Sequence, residues 1–249
     1  MSYYILVHGA WEESRAWQSV TPILQEHGHT VDAIDLPGHG SNMQPIAKMT
    51  MENYISTVVE SIKAVDQPVV LVAHSMTGSV VSQVAERIPE LIERLVYVAA
   101  FLLENGGTIL AAMQSDDGEF LPNIVFSDDG TYATLPEQTL RSAGLHDVSE
   151  DTISQVLPMV VEKQATEPFM SEVSMSEERF GRVPKTYIRT TLDRVTTPAL
   201  QDRMISNWQV ENVYDLESGH FPAFSVPDEL AEVLIASAGS AQDTVRKQA

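Results

Sequence analysis

Three polar residues far apart in the chain could together carry out nucleophilic chemistry: Ser75 in VLVAHSMTGS, Asp193 in TTLDRVTTP and His220 in ESGHFPAF. A serine hydroxyl attacks well only when a base takes its proton, and an imidazole is the better base when a carboxylate fixes its orientation. The stretch around Ser75 comes close to the G-x-S-x-G elbow, with Ala73 and Thr77 where glycines are expected and Gly78 one place late. A serine that merely caps the following helix would fit the same stretch.

The base must be chosen from seven histidines. His27 and His29 flank Gly28 at a helix end and read as surface residues, His39 belongs to the PGHG turn, and His146 lies in an irregular middle segment. His74 is adjacent to Ser75, so its side chain is expected to point away. His220, just past a strand and before the last helix, is the best placed. For the carboxylate, Asp193 competes with Asp215, which falls inside a strand; a loop residue turns toward His220 more readily. Acyl transfer also needs donors for an oxyanion. The N–H of Met76 follows the candidate nucleophile, and Gly9 in HGAW lets the loop after the first strand approach closely and offer the N–H of Ala10. An ordinary tight turn would also explain HGA.

These residues require a scaffold that brings distant loops together, and the pattern of the chain supplies one. Apolar β-rich runs at 3–7, 30–35, 69–73, 95–100, 184–191 and 212–217 alternate with helical periodicity at 14–26, 51–65, 76–88, 198–207 and 227–238. Such alternation predicts an α/β fold with a mainly parallel, doubly wound sheet, and such sheets place their chemistry at the carboxyl ends of the strands. The alternation lapses between 104 and 180, which reads as a small, mostly helical cap insertion without a clear strand. The expected organisation is a core of 1–103 and 181–249 with a cap of 104–180, ending in a loose tail, GSAQDTVRKQA.

Composition narrows the chemistry. The absence of cysteine excludes disulfides, a Cys metal site and a thiol nucleophile. A net charge of -20 disfavours nucleic acid and anionic membranes as partners. The 104–180 segment carries 15 acidic and 3 basic residues, so an anionic substrate would be repelled there. The start, MSYYILVHGA, lacks the basic and long apolar regions of a signal peptide. A soluble, cytoplasmic protein is expected.

Taken together, YILVHGAW, DLPGHG, VLVAHSMTG, RLVYVAAFL, TTLDRVTTPALQ and ESGHFPAFSVPDEL resemble the α/β-hydrolase superfamily, most of all its plant esterase and hydroxynitrile lyase branch and that branch's bacterial esterase relatives. The likeness runs from about residue 3 to 238 and is weakest in the insertion. It implies the α/β-hydrolase fold, Ser75 as nucleophile, Asp193 and His220 as partners in the family's chain order, and Ala10 and Met76 as the oxyanion hole. It also sets Gly9, Trp11 and Phe221 against the substrate. The lyases carry a Thr and a Lys where this chain has Gly9 and Phe221, so hydrolysis is favoured over cyanohydrin cleavage. Cofactor-free dioxygenases of the superfamily often carry a His where this chain has Met76.

The reading is therefore a carboxylesterase acting through an acyl-enzyme on a small, mainly apolar ester, with no metal or cofactor. The alternatives are a hydroxynitrile lyase-like or other non-hydrolytic reaction on the same triad, or a small-molecule receptor. Its expected partner is the ester itself, with room for a homodimer.

Overall fold

The computed structural model describes the backbone of residues 1–246 and the side chains of 1–238. Six strands form the central sheet: β1 (Tyr3–Val7), β2 (Thr30–Ile34), β3 (Val69–His74), β4 (Ile92–Val98), β8 (Lys185–Thr190) and β9 (Asn212–Leu216). Their order is β2-β1-β3-β4-β8-β9, and every neighbouring pair runs parallel. The near-continuous Val, Ile and Leu of β1, β3 and β4 follow from burial on both faces.

Successive residues of each strand serve opposite layers. Ile5, Val7, Leu71 and Tyr97 pack with Tyr54, Ile55, Val58, Val80, Val81 and Val84 from helices α2 (Met51–Lys63) and α3 (Thr77–Arg87). Tyr4, Leu6, Val70 and Val96 pack on the other side with Val20 and Leu24 of α1 (Val20–Glu26) and with Leu230 and Leu234 of the last helix. Helix α2 starts where the sequence allows a reciprocal cap: the Thr50 hydroxyl accepts from the Asn53 N–H while the Asn53 side chain accepts from the Thr50 N–H.

Two expectations need correction. The chain between β4 and β8 contains a small antiparallel sheet, β5 (Val125–Phe126), β6 (Tyr132–Thr134) and β7 (Gln164–Ala165), along with short helices such as Ile109–Gln114 and Glu150–Val156. Strands of two or three residues are too short to show a period of two. The last helix runs from Pro227 to Arg246, through most of the segment read as a loose tail, and 247–249 lie outside the described residues.

The inserted segment is tied to the loops at the carboxyl edge of the sheet. The Val161 N–H donates to the Trp11 carbonyl, Glu119 N–H to the Arg194 carbonyl, and Gly219 N–H to Asp147. Among the described residues three non-glycine positions have positive φ: Trp11 (58°), Ser75 (53°) and Ala99 (45°). Each lies just beyond the carboxyl end of β1, β3 or β4, where strain of this kind commonly marks function.

Candidate active site

Ser75 sits at the junction of β3 and α3 with φ of 53°, its N–H donating to the Val98 carbonyl at 3.2 Å and its carbonyl accepting from the Phe101 N–H at 3.0 Å. This sharp turn presents the hydroxyl beside the positive end of α3. Thr77 fits because its side chain turns down toward the sheet: Oγ1 donates to the His74 carbonyl at 2.9 Å and also lies 3.3 Å from the Val7 carbonyl. The close approach falls at Gly78, where a Cβ would stand 2.7 and 2.8 Å from the Phe101 backbone N and O. The small residue this elbow needs is thus one position later than the usual pattern places it.

Across the sheet edge, the Ser75 hydroxyl donates to His220 Nε2 at 2.9 Å, and His220 Nδ1–H donates to Asp193 Oδ2 at 2.8 Å. All three side chains are buried. Asp193 Oδ1 accepts from the N–H groups of Val195 (2.7 Å) and Thr196 (3.0 Å), and Oδ2 also accepts from the Thr190 hydroxyl at 2.9 Å. That donor set holds the carboxylate in one orientation. Asp215 faces elsewhere: it pairs with Arg189 at 2.8 Å on the surface, and the guanidinium holds its carboxyl below the usual range.

The loop after β1 is braced by histidines. His8 Nε2 accepts from the Leu36 N–H at 3.1 Å, so its Nδ1–H donates to the Gly9 carbonyl at 2.8 Å, and burial keeps this ring neutral by lowering its pKa. His39, expected only in a turn, is buried; its Nδ1–H donates to the Glu12 carbonyl at 2.8 Å, and burial with His8 nearby pushes it down to about 3. A Cβ on Gly9 would lie 3.0 Å from Ser75 Cβ and 2.6 Å from Glu12 Oε2, which explains the glycine by space alone. The N–H groups of Ala10 and Met76 have no acceptor among the described residues, and both residues line the pocket that contains Ser75.

This pocket, about 350 Å³, is otherwise walled by apolar side chains including Met113, Phe120, Phe169, Val195 and Phe221. Two further pockets adjoin it, one of about 410 Å³ toward Leu135, Leu140, Val156 and Met159, and one of about 350 Å³ toward Leu110, Ile124, Phe126 and Met170. Trp11 borders all three. Its indole N–H donates to the Ala133 carbonyl at 3.1 Å, and it contacts Phe120 and Phe169 with ring centroids 6.3 and 6.0 Å apart.

The sequence model of the Alpha/beta hydrolase family matches residues 4–233. The chain belongs to that family. Among curated relatives, this hydrolase-family chain is 28% identical to Methylesterase 9 of Arabidopsis thaliana, covering 94% of this chain and 97% of the relative. It is 27% identical to Methylesterase 17 of the same plant, covering 96% and 92%. A crystal structure of a pyrethroid hydrolase from Sphingobium faniae JZ-2 superposes with a TM-score of 0.84 at 25% identity, covering 97% and 99%. Polyneuridine aldehyde esterase, at 21% identity and a TM-score of 0.86, covers 96% and 99% and shares the fold.

The structure thus lines one pocket of this hydrolase-family chain with Ser75, His220, Ala10, Met76, Trp11 and Phe221, holds Asp193 behind His220, and packs Gly9 against Ser75, His74 and Glu12 rather than in the pocket wall. Other parts of the site gave no sign in the sequence. Gln201 clamps the Asp193 loop: Oε1 accepts from the Thr190 N–H at 3.0 Å and Nε2 donates to the Thr196 carbonyl at 2.7 Å. Glu12 and His74 are buried against one another behind the Ser75 loop, at 2.7 Å. An isolated Gln on a helix and a Glu in a loop carry no spacing that marks them. Among the described residues no cluster of three metal-ligating side chains occurs, and no helix is long and apolar enough to cross a membrane.

Proposed function

We propose that this protein is a serine carboxylic ester hydrolase. The observation that carries the reading is the unbroken hydrogen-bonded line Ser75–His220–Asp193, opening into a pocket with unpaired Ala10 and Met76 N–H groups. His220 takes the Ser75 proton as Oγ attacks the ester carbonyl, and Asp193 stabilises the imidazolium. The N–H groups of Ala10 and Met76 receive the oxyanion. The tetrahedral species collapses, the alcohol leaves with the proton from His220, and water, activated by His220, releases the acid and restores Ser75.

The substrate proposed is a small, mainly apolar, uncharged ester. No Lys or Arg lines any of the three adjoining pockets, and the His74 ring at the wall of one is already paired with Glu12, so a carboxylate or phosphate on the substrate would find no unpaired cation there. Phe221, directly after the base, supplies no charge for a departing cyanide, which weighs against the lyase reaction. The names of the Arabidopsis relatives support an ester bond as the target. We place the protein in the cytoplasm as a monomer or homodimer, assignments that fractionation and light scattering check.

The test uses p-nitrophenyl acetate and butyrate together with a serine-reactive phosphonate. Repeated turnover and a single adduct mapped to Ser75 are expected. No turnover and no adduct would sink the proposal, and a stoichiometric burst without turnover would favour a receptor.

A further inference from the structure

The loop that offers Ala10 and the loop that carries His220 arrive from opposite sides of Ser75, from the ends of β1 and β9. Side chains that lie outside the reaction line join them. Glu12 Oε2 accepts from the Gly9 N–H at 2.5 Å and from His74 Nδ1 at 2.7 Å. The other ring nitrogen, His74 Nε2, lies 2.7 Å from the His220 carbonyl oxygen. Both ring nitrogens therefore face acceptors, a carboxylate oxygen and a carbonyl oxygen, neither of which can donate. A neutral imidazole has one N–H and would set a lone pair against one of them. With Glu12 ionised, its Oε2 already accepting from the Gly9 N–H, only the doubly protonated ring satisfies both contacts.

We infer that an ion pair of Glu12 carboxylate with His74 imidazolium is a positioning bridge, fixing the loop of the Ala10 oxyanion donor and the backbone of His220 in register about Ser75. The inference rests on the esterase reading, since it assigns the bridge a share in that reaction.

The surroundings agree with a charged pair. Both side chains are buried, at 9% and 4% exposure. Burial opposes charge on the His74 ring, but Glu12 beside it raises its pKa overall; burial likewise opposes charge on Glu12, and His74 outweighs it downward. The titratable groups facing the pair are Asp193 after β8, His220 after β9 and His8 at the end of β1. The Trp17 and Phe221 rings complete the enclosure, with centroids 6.5 and 5.3 Å from that of His74. Pairing matters for the chemistry as well as the fold. A Cβ at Gly9 would lie within 3.0 Å of both Ser75 Cβ and Glu12 Oε2, so an unneutralised carboxylate there would oppose the developing oxyanion.

Two variants separate charge from shape. Glu12→Gln keeps the volume but can no longer hold His74 doubly protonated while accepting from Gly9. His74→Gln keeps two N–H donors but leaves Glu12 uncompensated. In each, kcat for p-nitrophenyl butyrate is expected to fall about tenfold or more with KM within about twofold, because misplacing reacting groups costs rate rather than binding. The rate of Ser75 phosphonylation is expected to fall in parallel; it depends on the same base and donors but needs no ester turnover, so it separates failure of this bridge from failure of the esterase reading. In the unaltered protein, ¹⁵N-histidine NMR at pH 8 is expected to show one ring protonated on both nitrogens, absent in His74→Gln. A singly protonated His74 ring in that spectrum, or either variant phosphonylating at the unaltered rate, overturns the inference. Because the spectrum requires neither variant, poor folding of one does not remove the test.

Discussion

His74 and His220 are joined through the backbone: the Nε2–H of His74 donates to the His220 carbonyl at 2.7 Å, with ring centroids 4.9 Å apart. The residue that precedes the proposed nucleophile in the chain thus supports the proposed base, 146 positions away. Its positive charge depends in turn on Glu12.

The pH dependence of stability should report this pair. Glu12 is depressed below its ordinary value near 4.5, so its contribution is present above that value and is lost as pH falls through the lower, folded value. His74 is raised above 6.5, so its contribution is complete below 6.5 and is lost as pH rises through the higher, folded value. The Tm difference between the unaltered protein and Glu12→Gln should be largest between about 4.5 and 6.5 and shrink on both sides. A difference that stays flat with pH would show that the pair is not ionised in the fold.

Ser75→Ala should abolish ester turnover, leaving a residual rate about 10³-fold or more lower, and should prevent phosphonate labelling while leaving the circular dichroism spectrum unchanged.

Asp193→Asn and Asp215→Asn should separate sharply. Asparagine at 193 cannot hold the His220 ring in the required protonation state, so kcat should fall on the order of 10³ to 10⁴-fold. Asp215 is half exposed and pairs with Arg189, so its loss should cost at most about 1 kcal/mol of stability and leave kcat within about twofold. Steady-state kinetics and thermal melts decide between them.

Restoring the conventional glycine at position 77 should do harm. Thr77→Gly removes two buried hydroxyl contacts and loosens the first turn of α3, for a loss of about 2 kcal/mol with kcat little changed. Gly78→Ala pushes a methyl into the Phe101 backbone and should cost about 2 to 3 kcal/mol. Denaturant midpoints measure both; a stabilised Thr77→Gly would contradict the account of the elbow.

Trp11→Ala should merge the adjoining apolar pockets, since its ring borders each of them. The ratio of kcat/KM for p-nitrophenyl octanoate over acetate should rise about tenfold, the scale on which apolar pockets discriminate chain length. An unchanged ratio would mean that the indole does not bound the acyl or alcohol site.

Local chemistry in the sequence determined a great deal of this protein. Near-continuous apolar runs mark the buried strands β1, β3 and β4, because burial on both faces favours apolar side chains at successive positions. The alternation with helical periods dictates parallel crossovers, and these place Ser75, Asp193 and His220 in loops at one edge. What the tertiary structure alone decided is which groups meet across that edge. The order β2-β1-β3-β4-β8-β9 sets the Asp193 and His220 loops beside the elbow, and Arg189 draws Asp215 to the surface. The two-residue strands β5 and β7 have too few positions to declare a period, and the fit of Thr77 depends on two carbonyls, at Val7 and His74, that no motif specifies. The bridge from Glu12 through His74 to His220 is of the same kind: proximity across 62 and 146 residues comes from packing, and a linear pattern carries no record of which buried charge will find its partner.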